Sequence, residues 1–390
     1  MSLKLVWDEV LENVIDPDFC DKDFTFEGDI SSVNTLIKYE NLQVLKWMVK
    51  KENLLGKVDL IYIDPPYNTG GNFTYKDDFS VKKDYHSAWL SFMNRRISLA
   101  KKLLSPSGCI FIAIGQDELF ALKLLCDGIF GENNFVNDFM WLHGKGKKDS
   151  WSRTLQQHTL CYASDKTRLL PFEDFEESAW ARNNLDGDSR GNWFSGSISF
   201  SEKRSNPNHK NYYSVTSPGG KIWTRQWLVA REEMQSLIAE NKIYWGSSPN
   251  YSQVPREKIF NGTRKKIIPK NIIDCTQSTR DAQNYLDALL GEKGVFDNPK
   301  PVSLIKHFIK ITRQKKDAII LDFFAGSGTT FEAVCELNRE ENVSRRCILV
   351  QKCEHCQSKK FFDIASLCQR RCQIVSEKFN EKIQVISGSL

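Results

Sequence analysis

Val58-Asp59-Leu60-Ile61-Tyr62-Ile63-Asp64-Pro65-Pro66-Tyr67-Asn68-Thr69 is an apolar, β-prone run that ends in a carboxylate, two prolines and an aromatic ring. The end of a strand in an open α/β sheet is where such folds place their ligands. Pro65 and Pro66 have no backbone N–H and fix their own φ angles, so the chain leaves the sheet stiffly. The Pro65 carbonyl and the Asp64 carboxylate can then face one point in space, with Tyr67 as a flat lid. Two acceptors and a π-face suit a planar ring that carries an amino group, such as a nucleobase. Taken alone, the four residues from 64 to 67 also describe a strand, a proline turn and a chance tyrosine.

A second segment, far along the chain, narrows the reading. Ala318-Ile319-Ile320-Leu321-Asp322-Phe323-Phe324-Ala325-Gly326-Ser327-Gly328-Thr329-Thr330 reads as a buried strand running into a glycine turn. A helix should follow, with Phe331, Ala333, Val334 and Leu337 on one side. Gly326 and Gly328 let the backbone approach a ligand closely, and a helix N-terminus supplies free N–H groups. A phosphate-binding loop would need Gly-Lys-Ser/Thr where Gly328-Thr329-Thr330 stands, and the dinucleotide fingerprint needs a third glycine. The turn therefore favours a cofactor that needs glycine but has no pyrophosphate, a description that S-adenosylmethionine meets. Cys347-Ile348-Leu349-Val350-Gln351 looks like the next strand, and Glu354 just past it is placed to take ribose hydroxyls.

Together, Asp64-Pro65-Pro66-Tyr67 and Phe324-Ala325-Gly326-Ser327-Gly328 resemble the amino-methyltransferases that act on DNA. Their order, catalytic motif first and cofactor motif last, is similar to the permuted β group of that family. Tyr67-Asn68-Thr69-Gly70 and Asp322-Phe323-Phe324 look most like modification subunits of type III restriction systems, although the chain is much shorter than a usual one. Asn298-Pro299-Lys300-Pro301-Val302-Ser303-Leu304-Ile305 is similar to the family helix that closes over the methionine end of the cofactor, which places Lys300 among the cofactor residues. Where the family often has Gly-Asp-Asn, this chain has Tyr39-Glu40-Asn41, so the resemblance assigns Glu40 and Asn41 to the adenine end.

The resemblance implies a doubly wound, mostly parallel, Rossmann-like α/β methyltransferase sheet with an inserted, smaller target-recognition domain. It implies site-specific methylation of double-stranded DNA in a restriction-modification system, a cognate restriction endonuclease as partner, and a homodimer, since the β group often pairs. Asp ahead of Pro-Pro-Tyr mostly resembles adenine-N6 enzymes and Ser mostly cytosine-N4 enzymes, so Asp64 points to adenine. Cytosine N4 stays open as the alternative acceptor. A silent DNA-binding specificity subunit also stays open.

Composition permits this reading. At 390 residues, two folded parts are the natural prior, and 41% hydrophobic with 26% charged residues is ordinary for a globular protein. No apolar run approaches a bilayer span, and Lys4, Asp8 and Glu9 near the start do not make a signal peptide, so a cytoplasmic protein is expected. The net charge of +5 requires no polyanion partner but allows one where basic residues cluster. Such runs occur at Lys145-Gly146-Lys147-Lys148, Arg264-Lys265-Lys266, Arg313-Gln314-Lys315-Lys316 and Arg345-Arg346, though most short basic runs are solvated faces. Cys353-x-x-Cys356 and Cys368-x-x-x-Cys372 invite a zinc reading, but the second pair lies on an apolar helix face and reduced core thiols are expected, with no metal. None of the eleven cysteines follows a proline, which disfavours C5-cytosine chemistry.

The expected organisation is a lead-in over 1–33, a catalytic half over 34–164, a target-recognition domain over 165–290 and a cofactor-binding half over 291–390. Within it, helices are expected over Ala88–Leu104, Glu118–Ile129 and Arg231–Glu240, with strands at Cys109–Ile114, Val136–Trp141 and His158–Ala163. Residues 68–84 read as a loop that orders over substrate, and Ser105-Pro106-Ser107-Gly108 as the segment that ends the helix before the strand at Cys109. The middle region is rich in aromatics among polar and basic residues, with Trp180, Trp193, Trp223, Trp227 and Trp245. Such residues either stack on bases or form that domain's own core.

Overall fold

The structure is a computed structural model that describes residues 5–15, 19–71, 77, 79, 85–143, 151–177, 183–274, 276–356 and 358–388. The run at 145–148, Trp180 and much of the loop at 68–84 lie outside the described residues. The chain divides into two compact units, Met1–Glu173 with Pro269–Leu390, and Asp174–Ile268.

The larger unit begins with a single helical turn, α1 (Glu12–Ile15). It continues through β1 (Asn34–Lys38), α2 (Asn41–Met48), β2 (Val58–Ile63), α3 (Tyr85–Leu103), β3 (Leu104–Ile114), α4 (Leu119–Phe130), β4 (Phe135–Leu142) and β5 (Gln156–Ala163). The chain then forms the smaller unit, with β6 (Asp174–Glu177), β7 (Trp193–Ser197), β8 (Tyr212–Thr216), β9 (Ile222–Gln226), α5 (Arg231–Ala239), β10 (Ile243–Tyr244), β11 (Arg256–Phe260) and β12 (Arg264–Ile267). It returns to the larger unit as β13 (Ile272–Ile273), α6 (Thr279–Leu290), α7 (Val302–Ile311), β14 (Ile319–Asp322), α8 (Thr329–Glu341), β15 (Arg346–Val350), α9 (Ile364–Phe379) and β16 (Ile383–Ser387).

Nine strands of the larger unit form one sheet in the order β13-β4-β5-β3-β2-β14-β15-β1-β16. All its pairings are parallel except those of β5, which runs against β3 and β4. This is the expected doubly wound, Rossmann-like α/β sheet. Side chains alternate across it, as the twofold strand period demands. Ile61 and Ile63 face one core with Val44, Trp89, Ile97 and Leu122 of α2 to α4. Leu60 and Tyr62 face the other, with Phe308 of α7, Phe331 of α8 and Cys368 of α9. Burial on both sides explains why β2 reads as a continuous apolar run, and each buried aliphatic stabilises the fold by about 1.5–3 kcal/mol.

The pairing that matters is β2 with β14, in the register Leu60–Ile320 and Ile61–Leu321. The two segments singled out in the sequence, nearly 260 residues apart, are thus adjacent parallel strands that end on the same rim. Helix ends obey local chemistry. Ser278 and Asp281 form a reciprocal capping box at α6, and Asp363 accepts the Ser366 N–H at 2.6 Å at α9.

Two boundaries differ from expectation. β3 begins at Leu104 rather than Cys109, so Ser105–Gly108, which follows the end of α3 as expected, already lies inside the strand. The pairing with β2 shifts register between Val58 and Leu60 there, and a side chain at Gly108 would meet the Val58 carbonyl at 2.9 Å. The smaller unit is also narrower than 165–290. Leu169 and Phe172 pack on the sheet core, and β13 extends the sheet beside β4.

The smaller unit holds the antiparallel sheet β10-β11-β7 and the pairs β8-β9 and β12-β6. Trp227, Tyr213, Met234, Ile243 and Trp245 form its core, and the Trp227 indole N–H donates to the Tyr213 carbonyl at 2.7 Å. Trp193 is buried as well, so most of the tryptophans there serve packing. Among the described residues no helix is long and apolar enough to cross a membrane.

Candidate active site

Beyond the rim where β2, β14, β15 and β1 end lies a cavity of about 920 Å³ within the larger unit. Its wall includes Asp64, Pro65, Pro66, Tyr67, Lys300, Glu40, Asn41 and Glu354, and the turn from Asp322 to Ser327. Every residue selected from the sequence therefore lines one space, with a single exception. Gly328 does not reach the cavity. It sits at φ 81° as the N-cap of α8, and a Cβ there would lie 3.0 Å from the Cys368 sulfur.

The Asp64 turn is held from several sides. The Tyr67 hydroxyl donates to Asp64 Oδ1 at 2.7 Å, and Lys300 Nζ donates to Oδ2 at 2.6 Å. The Lys300 ammonium also lies 5.3 Å from the centre of the Tyr67 ring. Behind the turn, the Trp89 indole N–H donates to the Pro66 carbonyl at 2.8 Å. Gly115 leaves room for the tyrosine, since a Cβ there would approach the ring at 3.1 Å. Asn68 adopts a left-handed φ of 60°, with its backbone N–H on Asp77 at 2.9 Å and its side-chain amide on Glu118 at 2.6 Å. Burial raises the Glu118 carboxyl above its usual range, against the bonds from Asn68 and His86 that lower it.

The glycine turn is held by a matching set. Asp322 accepts the Phe324 N–H at 3.0 Å and the Thr330 hydroxyl at 2.5 Å. Full burial, reinforced by the charge of Asp64, pushes its carboxyl up to about 7. The Gly326 N–H donates to the Gln351 side chain at 2.7 Å, which ties the turn to the end of β15. Gly326 has φ 53°, and a Cβ there would come within 3.2 Å of Phe296. Beneath it, Arg371 of α9 donates to Ser327 Oγ at 3.0 Å and Thr329 Oγ1 at 2.8 Å, and pairs with the fully buried Glu332 at 2.9 Å.

At the end of β1, Asn41 donates to the Phe323 carbonyl at 2.8 Å and accepts from Arg96 at 2.6 Å. Arg96 also pairs with Glu40 and Glu12 at 2.9 Å each, so the N-terminal lead-in helps anchor the site. Burial of Tyr62, two residues before Asp64, leaves its hydroxyl without a hydrogen-bond partner among the described residues, on the cavity wall. Its proton is held well above the usual phenol range, by burial first and then by Asp64 and Asp322.

These braces were harder to see in sequence. Arg96 and Arg371 are each the second of an Arg-Arg pair, and the apolar residues three and four positions away on either side are the one trace they leave. Trp89 and Tyr62 read simply as core. As for the cysteines, Cys356, Cys368 and Cys372 are buried and Cys353 is exposed. Among the described residues no three of His, Cys, Asp or Glu gather where they could hold a metal. Two basic runs are engaged internally, with Arg313 on Glu173 and Lys315 on Asp59 in one and Arg345 on Glu341 in the other.

Residues 58–360 match the DNA methylase family, and the chain belongs to it. It is 34% identical over 354 residues to the Mod subunit of the type III restriction-modification enzyme StyLTI of Salmonella typhimurium, covering 83% of this chain and 53% of that one. It is 30% identical over 359 residues to the type II methyltransferase M.KpnI of Klebsiella pneumoniae, covering 84% of this chain and 86% of that one. The chain spans 53–63% of the length of the three type III Mod subunits from Salmonella typhimurium, phage P1 and Escherichia coli that it resembles. The PvuII cytosine-N4-specific DNA methyltransferase superposes with a TM-score of 0.44 at 12% identity, over 93% of this chain and 99% of that one.

Proposed function

We propose that the chain moves a methyl group from S-adenosylmethionine to the N6 amino group of an adenine flipped out of double-stranded DNA. The observation that carries this reading is the adjacency of β2 and β14, which opens the Asp64 turn and the Phe324–Gly326 turn into one cavity.

The residues present fit the cofactor. The cavity's volume, about 920 Å³, is at the upper end for small-molecule sites, enough for a nucleoside cofactor and a base together. Gly326 keeps a close approach open on one side, and the orphaned Tyr62 hydroxyl offers a polar contact on the other. Glu354 and Gln351, past the second strand of the cofactor half, line the cavity and would take the ribose, and Glu40 and Asn41, also on its wall, would take the adenine end. Bound there, S-adenosylmethionine supplies an electrophilic methyl group on a sulfonium.

The protein's part is to hold the acceptor. An exocyclic amino nitrogen is a poor nucleophile because its lone pair is delocalised into the ring. Hydrogen bonds from its two N–H groups to Asp64 and to the Pro65 carbonyl draw it toward a tetrahedral, more nucleophilic geometry. Methyl transfer would leave the nitrogen with one surplus proton, which the Asp64 carboxylate would take up and pass to water. Tyr67 stacks on the extruded base, a contact worth about 1–3 kcal/mol. Positioning and electrostatics provide most of the acceleration.

The relatives named as type III Mod subunits support adenine as target and a restriction nuclease as partner. The smaller unit would then choose the site, with the Lys221 and Arg225 cations 4.1 and 5.2 Å from the Trp223 ring as one candidate contact. Nucleoside mass spectrometry of DNA treated with the protein and S-adenosylmethionine tests the reading. N6-methyladenine is expected. N4-methylcytosine would overturn the choice of base, and unmodified DNA would favour a silent specificity subunit.

A further inference from the structure

We infer that Lys300 is a positioning residue for the methyl acceptor, acting through Asp64, rather than a residue that holds the cofactor. The inference rests on the proposed methyl-transfer reading and adds to it the group that aims the carboxylate.

Lys300 enters the cavity wall from the segment just before α7, 236 residues after Asp64, yet its ammonium lies 2.6 Å from Asp64 Oδ2. It is 8% exposed, so its charge has left bulk water. A buried ammonium needs a close anion, and among the ion pairs of the described residues Asp64 fills that place for Lys300. The mount is stiff. Asn298 takes a left-handed φ of 50°, prolines flank the lysine at 299 and 301, and Pro301 caps α7 with φ −70°. A lysine so mounted has little freedom to follow a ligand and much capacity to hold a neighbour.

The geometry around Asp64 shows what is held. Lys300 bonds one carboxylate oxygen and the Tyr67 hydroxyl bonds the other, so the carboxyl plane is set from two sides. A carboxylate has about four acceptor directions, so each oxygen keeps one for an incoming N–H. The same ammonium stands near the Tyr67 ring, so one cation relates the stacking surface to the acceptor. His143, another cavity residue, is kept below its usual range by burial first and by Lys300 second. Misplacement of a reacting group by about 1 Å can cost about 100-fold in rate.

The test compares wild type, Lys300→Met and Lys300→Arg on the full chain. It reads S-adenosylmethionine affinity by calorimetry and methyl transfer to DNA at saturating cofactor. Lys300→Met should lower kcat by about 100-fold while the cofactor Kd moves by less than about threefold. Lys300→Arg, which keeps a donor and a charge, should recover to within about tenfold of wild type. If Lys300→Met does not fold, Lys300→Gln is read in the same way. A raised cofactor Kd with unchanged kcat, no effect on either, or a loss in kcat that arginine fails to rescue would each overturn the inference. Failure of the wild type to methylate DNA would instead strike the underlying function.

Discussion

The indole N–H of Trp89 donates to the carbonyl of Pro66 at 2.8 Å, joining the buried face of α3 to the proline turn that carries Tyr67. A proline carbonyl at a strand end has no ladder partner, so this bond comes from a side chain or is missing. Trp89→Phe should destabilise the protein by about 1–3 kcal/mol, since it leaves that carbonyl unsatisfied. Urea unfolding measures the loss, and methyl transfer should fall alongside it because the turn is no longer braced.

Tyr67 has two separable roles. Its ring faces the cavity and its hydroxyl bonds Asp64. Tyr67→Phe keeps the ring and should retain turnover within about tenfold. Tyr67→Ala should cost about 1–3 kcal/mol of base stacking, read as a loss in kcat/KM for DNA with unchanged cofactor affinity. Equal losses in the two variants would assign the role to the hydroxyl.

Gly326 and Gly328 should fail differently. Gly326 lines the cavity at φ 53°, so Gly326→Ala should weaken cofactor binding more than stability. Gly328 faces Cys368 at φ 81°, so Gly328→Ala should lower the melting temperature first. Calorimetric titration and thermal unfolding separate the two.

Asp322 makes a pH prediction. Its carboxyl is raised from 3.8 to about 7 by burial first, so the native state keeps a proton that the unfolded state has lost. Its contribution to stability is therefore greatest below about pH 4 and falls as pH rises through about 7. Asp322→Asn should flatten the stability profile across that window. A cationic cofactor favours the ionised carboxylate, so S-adenosylmethionine should bind wild type more tightly at pH 8 than at pH 6. The asparagine variant should lose that difference.

How much of this could be read beforehand follows from where the information sits. β2 and β14 were legible because strands buried on both faces leave continuous apolar runs, and because Asp-Pro-Pro-Tyr and the glycine turn are local patterns. Their adjacency followed once the two motifs were seen to need one site. The partners that hold those motifs were not legible. Arg371, Trp89 and Gln351 reach them from distant elements, and long-range bonds leave no spacing rule in one sequence. Lys300 was placed by resemblance at the cofactor, whereas its ammonium rests on Asp64. The N-terminal lead-in carried no clear periodicity, and Glu12 within it is held by Arg95 and Arg96 across a long sequence separation.

The central claim is that Asp64 acts on the methyl acceptor and not on the donor. Calorimetric binding of S-adenosylmethionine together with labelled-methyl transfer to DNA, in wild type and Asp64→Ala, addresses it most directly. The account predicts cofactor affinity within about threefold of wild type and transfer reduced by about 10²–10³-fold or more. Transfer at the wild-type rate in Asp64→Ala would contradict it.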